Sequence, residues 1–205
     1  MSASSYNGGS VMVMKGRESF AIASDLRFGS QFQTISCNME KVFKFNDHLY
    51  LGLAGLTTDI QTVYQKMLMN YNLYKLSEGV VPSPKIFTSM LSNKLYEHRF
   101  GPYFLEPVVG GFDPKTGDVF VSACDIIGST SIIDDFAVFG TAINQLLGTC
   151  ECLWKPNMDA DELFETASQA MLNAIDRDAL SGWGVVIYLV EKHKTTKSIL
   201  KARMD

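Results

Sequence analysis

No pair of cysteines in this 205-residue sequence has the CxxC spacing of a metal knuckle or a redox dithiol. Of the three histidines, only His48 lies near any of Cys37, Cys124, Cys150 and Cys152 in the chain. No metal or cofactor is therefore expected, and the thiols should be reduced and mostly buried. Apolar runs approaching the ~20 residues of a membrane span are missing, and Met1 to Ser10 has neither the basic start nor the apolar stretch of a signal peptide. The expected location is cytoplasm and nucleus. Basic clusters are missing too: 18 Lys and Arg are scattered among 22 Asp and Glu, for a net charge of −4. Neither nucleic acid nor an anionic membrane is an expected partner. There is no internal repeat or low-complexity linker, and GLAGLTTD lacks the Gly-Lys-Ser/Thr that would hold phosphate and magnesium.

What is present is a globular composition, 46% hydrophobic and 20% charged, as one domain with a single substantial core requires. The first fifty residues read as strands over Val11 to Lys15, Phe20 to Ser24, Lys41 to Phe45 and Leu49 to Ala54. In the first of these both alternating faces are apolar, Val11 and Val13 on one and Met12 and Met14 on the other. Such a strand must be covered on both sides. Ile60, Val63, Tyr64, Met67, Tyr71 and Tyr74 follow helical spacing, which predicts a helix over Thr58 to Leu76. Ser83-Pro84 opens a second, with Phe87, Met90, Leu91 and His98 on one stripe.

PVVGGF, the turn DPKTG and DVFVSACD read as a hairpin. A helix over Thr141 to Leu153 then carries Ile143, Leu146, Leu147, Cys150 and Trp154 on one face. Another opens with a capping box, Asp159 and Glu162, and buries Leu163, Ala167, Ala170, Met171 and Ala174. GWGVVIYLV is a buried strand. This order of elements predicts an α+β fold, a four-layer αββα sandwich of two antiparallel sheets with helix pairs outside.

Three ionisable residues occupy positions the pattern reserves for apolar ones. Asp25 alternates with Ala21 and Ala23, Lys41 with Phe43 and Phe45, and Asp178 continues the stripe of Met171 and Ala174. Burying isolated ions is costly, so an Asp-Lys-Asp cluster at one end of the sandwich would resolve all three. Each could instead sit at an element end and reach solvent; the pattern leaves both readings open. The stretch YNGGSVMVMKG poses a second alternative. Gly9-Ser10 is either a self-processing site that frees an N-terminal nucleophile or the entry to a strand.

The segments ASDLRFGS, EKVFKF, GLAGLTTD, LYEHRFGPYF, PVVGGFDPKTG, FGTA and ELFETASQAMLNAIDRDALSGWG resemble those of the proteasome beta subunits. The Arg-Phe-Gly-Pro stretch and DRDALSGWG are similar to one non-catalytic type in particular, and the likeness runs from about Asn7 to Asp205. It implies an N-terminal nucleophile hydrolase fold. Active members use a threonine freed by cleavage after glycine, with its own α-amine as general base, aided by an aspartate and a lysine. On that pattern the aspartate is Asp25, the lysine Lys41, and the supporting D-x-x-S-G turn Asp178, Ser181 and Gly182; Thr141 stands for the usual serine and Gly55 for the substrate-facing glycine.

The nucleophile itself is absent. Counting back from Asp25 and Lys41 without a gap places it at Gly9. Ser10 is one residue out of register, and on a strand that turns its side chain to the opposite face unless a bulge intervenes. The expected organisation is a retained N-terminal extension over residues 1–8 and a single proteasome beta-type domain over 9–205.

The resemblance implies a non-catalytic subunit of the 20S core particle, serving ubiquitin- and ATP-dependent protein degradation. Its partners would be other beta subunits in a hetero-heptameric ring, the opposite beta ring and the alpha ring. The alternatives are an active peptidase using Ser10 after cleavage at Gly9, and a self-assembling ring of one chain. The loop Phe100 to Phe104 and the segment after Tyr188 are candidate interfaces. Cys124 and Asp125 are candidates for completing the specificity pocket of a neighbouring subunit; Asp125 could equally cap the turn that follows it.

Overall fold

The computed structural model describes residues 3–204; Met1, Ser2 and Asp205, which include the start of the expected extension, lie outside the described residues. A single 3-10 turn, Ala3–Ser5, leads into β1 (Ser10–Lys15), β2 (Ser19–Asp25), a short hairpin of β3 (Phe28–Ser30) and β4 (Gln33–Ser36), then β5 (Val42–Asn46) and β6 (Leu49–Gly55). Helices α1 (Thr57–Glu78) and α2 (Pro84–Tyr96) follow. Strands β7 (Leu105–Phe112), β8 (Val119–Cys124), β9 (Thr130–Ile132) and β10 (Phe136–Gly140) precede α3 (Ile143–Leu153) and α4 (Ala160–Ile175), and β11 (Val185–Glu191) and β12 (Thr195–Leu200) complete the order.

The strands form two five-stranded antiparallel sheets, ordered β10-β1-β2-β11-β12 and β5-β6-β7-β8-β9. The two apolar faces of β1 are used as the pattern requires. Met12 and Met14 pack with Leu146, Cys150, Leu163 and Met171 of α3 and α4, while Val11 and Val13 pack with Tyr50, Val108 and Val121 of the facing sheet. Leu51, Leu53 and Val109 turn the other way, onto Ile60, Val63, Met67, Phe87 and Leu91 of α1 and α2. The sheets approach closely at glycine: a Cβ at Gly52 would stand 2.5 Å from Val11 Cγ2, and one at Gly110 2.6 Å from the Phe20 ring. This is the expected four-layer αββα sandwich.

Ser83 caps α2 as its position before proline predicts, its hydroxyl accepting from the Ile86 amide at 3.4 Å. Several local expectations are corrected. The capping box of α4 does not form: Asp159 occupies the N-cap, but its side chain makes no capping bond. Leu147 is 41% exposed, because the apolar stripe of α3 narrows to Leu146 and Cys150 where α4 covers it. His98 lies beyond α2, where its ring Nε2 meets the Tyr103 hydroxyl at 3.0 Å. Lys41 precedes β5, so strand alternation does not dictate its direction. Only Cys124 and Cys150 are buried; Cys37 and Cys152 are exposed. The hairpin β3–β4 and the strands β9 and β10 carry no expectation from the pattern, being short or lacking a clean alternation.

Candidate functional site

The pattern's three odd charges gather at one end of the β1–β2 sheet, in two linked groups. Asp25 ends β2, fully buried. Its Oδ1 accepts from Lys41 Nζ at 2.8 Å and from the Ser10 amide at 2.9 Å; its Oδ2 accepts from the amides of Arg27 and Gly182, both at 3.2 Å. Lys41, 1% exposed, also donates to the carbonyls of Arg27 at 2.8 Å and Asp25 at 3.2 Å. Three acceptors match the three ammonium protons, which is what makes a buried lysine tolerable.

Asp178 is in the second group. The expectation that it continues the buried stripe of α4 is corrected: that helix ends at Ile175, and Asp178 sits half-buried in the turn beyond it. Its Oδ2 accepts from the hydroxyls of Thr141 at 2.5 Å and Ser181 at 2.7 Å, and its Oδ1 from the Leu180 amide at 3.2 Å. Among the described residues no ion pair joins it to Lys41, whose carboxylate partner is Asp25. The proposed three-member cluster is thus two clusters, bridged by the Ser181-Gly182 peptide that serves both. Thr141 completes the bridge, its amide donating to the Gly9 carbonyl at 3.0 Å.

Gly9 stands against this apparatus at φ 123°, a conformation side chains rarely adopt. A Cβ built there would lie 2.4 Å from Lys41 Cε and 3.1 Å from Nζ, so position 9 faces the lysine as the gap-free count requires. Ser10 faces elsewhere. Its hydroxyl accepts from the Ala142 amide at 3.0 Å, ahead of α3, and is fully buried. Gly55, at φ 138°, packs against the Phe104 carbonyl, only 2.3 Å from where its Cβ would be. Lysine, aspartate and hydroxyls thus surround position 9, which carries no side chain. In the uncut chain the residue-9 nitrogen is an amide, and it donates to Thr141 Oγ1 at 3.4 Å.

Cys124 and Asp125 lie apart from this site, at the end of β8. The Cys124 thiol is buried, which, with the nearby Asp125 charge, pushes its pKa up to about 12. Asp125 caps the following turn, its Oδ1 accepting from the amides of Ile127 at 3.0 Å and Ser129 at 2.7 Å. Among the described residues no helix is long and apolar enough to cross a membrane.

Two buried polar side chains beside this site carry no expectation from the sequence. Arg27 is 1% exposed and Asn7 8%, and the Arg27 guanidinium donates to the Asn7 carbonyl at 3.2 Å, while only the Arg27 main-chain amide reaches Asp25. Arg27 shares the alternation of Asp25, which is a signal; Asn7 carries none, because its partners lie in distant segments.

The family described as "Proteasome subunit" matches residues 5–190. The chain is 52% identical over 205 residues to "Proteasome subunit beta type-3" of Drosophila melanogaster, covering all of both chains. It is 49% identical to the protein of that name from Saccharomyces cerevisiae, over 98% of each chain, and 47% identical to that of Dictyostelium discoideum, over all of both.

Proposed function

The chain belongs to the proteasome subunit family, and from that premise we propose that it is a non-catalytic beta subunit of the type-3 kind in the 20S core particle. It takes one position in a heteromeric seven-membered beta ring, against the opposite beta ring and the alpha ring. There it positions catalytic neighbours and walls the chamber in which proteins marked by ubiquitin are degraded, in cytoplasm and nucleus. The observation that carries this reading is Gly9, a residue without a side chain at the one place a nucleophile could meet Lys41. Occupation of the Ser10 hydroxyl by the Ala142 amide counts against the alternative of a serine peptidase.

The lead over residues 1–8 stays attached. Intact mass of the chain from native particles, taken before and after an electrophilic inhibitor of N-terminal threonine hydrolases, tests both points. The expected chain retains residues up to Gly9 and gains no adduct; a chain beginning at Ser10 and carrying one overturns the proposal.

Assembly on several sides needs exposed apolar surface, and the chain has it in Phe100 (94% exposed) and Phe104 on one loop and Ile199 on β12. Asp125 has a narrower role in this reading. One of its oxygens holds its own turn, and the carboxylate adds negative charge to the specificity pocket of the adjoining active subunit, beside Cys124. Asp125→Asn should then weaken cleavage after basic residues in assembled particles with other cleavages unchanged; equal cleavage after basic residues sinks the assignment.

A further inference from the structure

Arg27 is among the largest of the fully buried side chains, yet among the described residues no ion pair is formed by its guanidinium. Its donors go to neutral oxygens: Nε to Thr34 Oγ1 at 3.0 Å, Nη1 to the carbonyls of Asn7 at 3.2 Å and Leu180 at 3.1 Å, and Nη2 to the Gln31 carbonyl at 2.8 Å. A buried cation held only by carbonyls and a hydroxyl depends on every acceptor staying in place. Those acceptors come from the N-terminal lead, the turn after α4, and the hairpin β3–β4.

That hairpin needs help. Its strands have three and four residues and form a sheet of their own, and an isolated two-stranded ribbon is marginal in water. Gln31 at its turn adopts φ 54°, an unfavourable conformation for a residue with a side chain. Both of its backbone groups are pinned from outside the hairpin, the amide by the Tyr6 carbonyl at 2.8 Å and the carbonyl by Arg27. Asn7 Nδ2 donates to the Gly29 carbonyl at 2.9 Å, and the Ser30 hydroxyl to the Tyr6 hydroxyl at 3.0 Å. On its other side Asn7 is anchored to the body of the fold, where Oδ1 accepts from the Thr57 amide at 3.0 Å, one of the first-turn donors of α1. Gly8 fits against the Leu180 carbonyl with no room for a Cβ.

We infer that Tyr6 and Asn7 form a strap, clasped by Arg27, that fixes the β3–β4 hairpin, so that the order of the hairpin depends on an uncut N-terminus. The inference rests on the reading that the lead remains attached. Cleavage after Gly9 would remove both acceptors that Tyr6 supplies, the amide and carbonyl that Asn7 supplies, and with them the hold on Gln31. A hairpin ordered by the lead and a nucleophile freed by losing that lead are mutually exclusive, which gives the retained residues a structural role.

The test is hydrogen exchange read by mass spectrometry on assembled particles carrying the wild-type chain, Asn7→Ala, or Asn7→Asp, which keeps the acceptor for Thr57 and sets an oxygen against the Gly29 carbonyl in place of the donor. Peptides over residues 28–36 should exchange about tenfold faster in both variants, as loss of one or two hydrogen bonds from a locally opening unit predicts, while β6 is unchanged. Asn7→Asp carries the test if the alanine variant does not assemble. Unchanged exchange over 28–36 in a variant chain whose lead is present by intact mass overturns the strap alone. A wild-type chain beginning at Ser10 with a protected hairpin overturns both the strap and the retained lead. If neither variant enters particles, the same exchange measurement on the purified variant chains decides: faster exchange over 28–36 is the expected result, and unchanged exchange there overturns the strap.

Discussion

Asp25→Ala should cost the folded chain about 3–5 kcal/mol, the range found when one partner of a buried ion pair is removed. The side chains of Asp25 and Lys41 are 0% and 2% exposed, so solvent screening does not soften the loss. Alanine would leave the Lys41 ammonium without its carboxylate and three buried amides, of Ser10, Arg27 and Gly182, without their acceptor. Each orphaned donor adds its own desolvation penalty. The expected readout is a lower denaturant midpoint for the purified chain and poor incorporation into particles. The double variant Asp25→Leu with Lys41→Met should recover part of the loss, because it removes the uncompensated ammonium, though not the three orphaned amides. A midpoint within about 0.5 kcal/mol of wild type, the usual scatter for surface changes, would show that the pair does not hold this end of the sheet.

Restoring the missing hydroxyl should fail. Gly9→Thr puts a side chain where φ is 123° and where Cβ would meet Lys41 Cε at 2.4 Å. The lysine cannot step aside cheaply, since its ammonium is held by Asp25 and two carbonyls. Backbone strain of about 1–3 kcal/mol and overpacking of similar size make a loss of roughly 2–6 kcal/mol. No peptidase activity should appear in return. The residue-9 nitrogen remains an amide while the lead is attached, so the general base that activates such a nucleophile is missing. Thermal unfolding and an electrophilic inhibitor read by intact mass check the two halves. A threonine variant as stable as wild type that takes up the inhibitor would contradict both.

The parts of this molecule that the sequence determined by itself are those where the signal is local or countable. Alternation in Val11 to Met14 announced two buried faces, and both are used. Helical spacing placed α1 and α2, because a helix covering a sheet must show its apolar stripe in the order of its own residues. The resemblance to the family, counted back without a gap from Asp25 and Lys41, put its nucleophile position at Gly9. The direction of Ser10 followed from it, because a strand inverts its side chains at each residue.

What only the tertiary structure decided are contacts between segments far apart in the chain. By spacing Asp178 continues a helical stripe, but α4 stops short, and the carboxylate answers to Thr141 and Ser181 in a turn. Asp159 reads as half of a capping box from spacing alone, yet its side chain makes no capping bond. Asn7 gave no signal, since what makes it structural is Gly29, Arg27 and Thr57, up to fifty residues away. The hairpin β3–β4 was equally silent, for its order comes from the lead and from Arg27 rather than from its own alternation. Periodicity records what one element needs from its environment; it does not record which distant segment supplies it, and that is settled when the layers close.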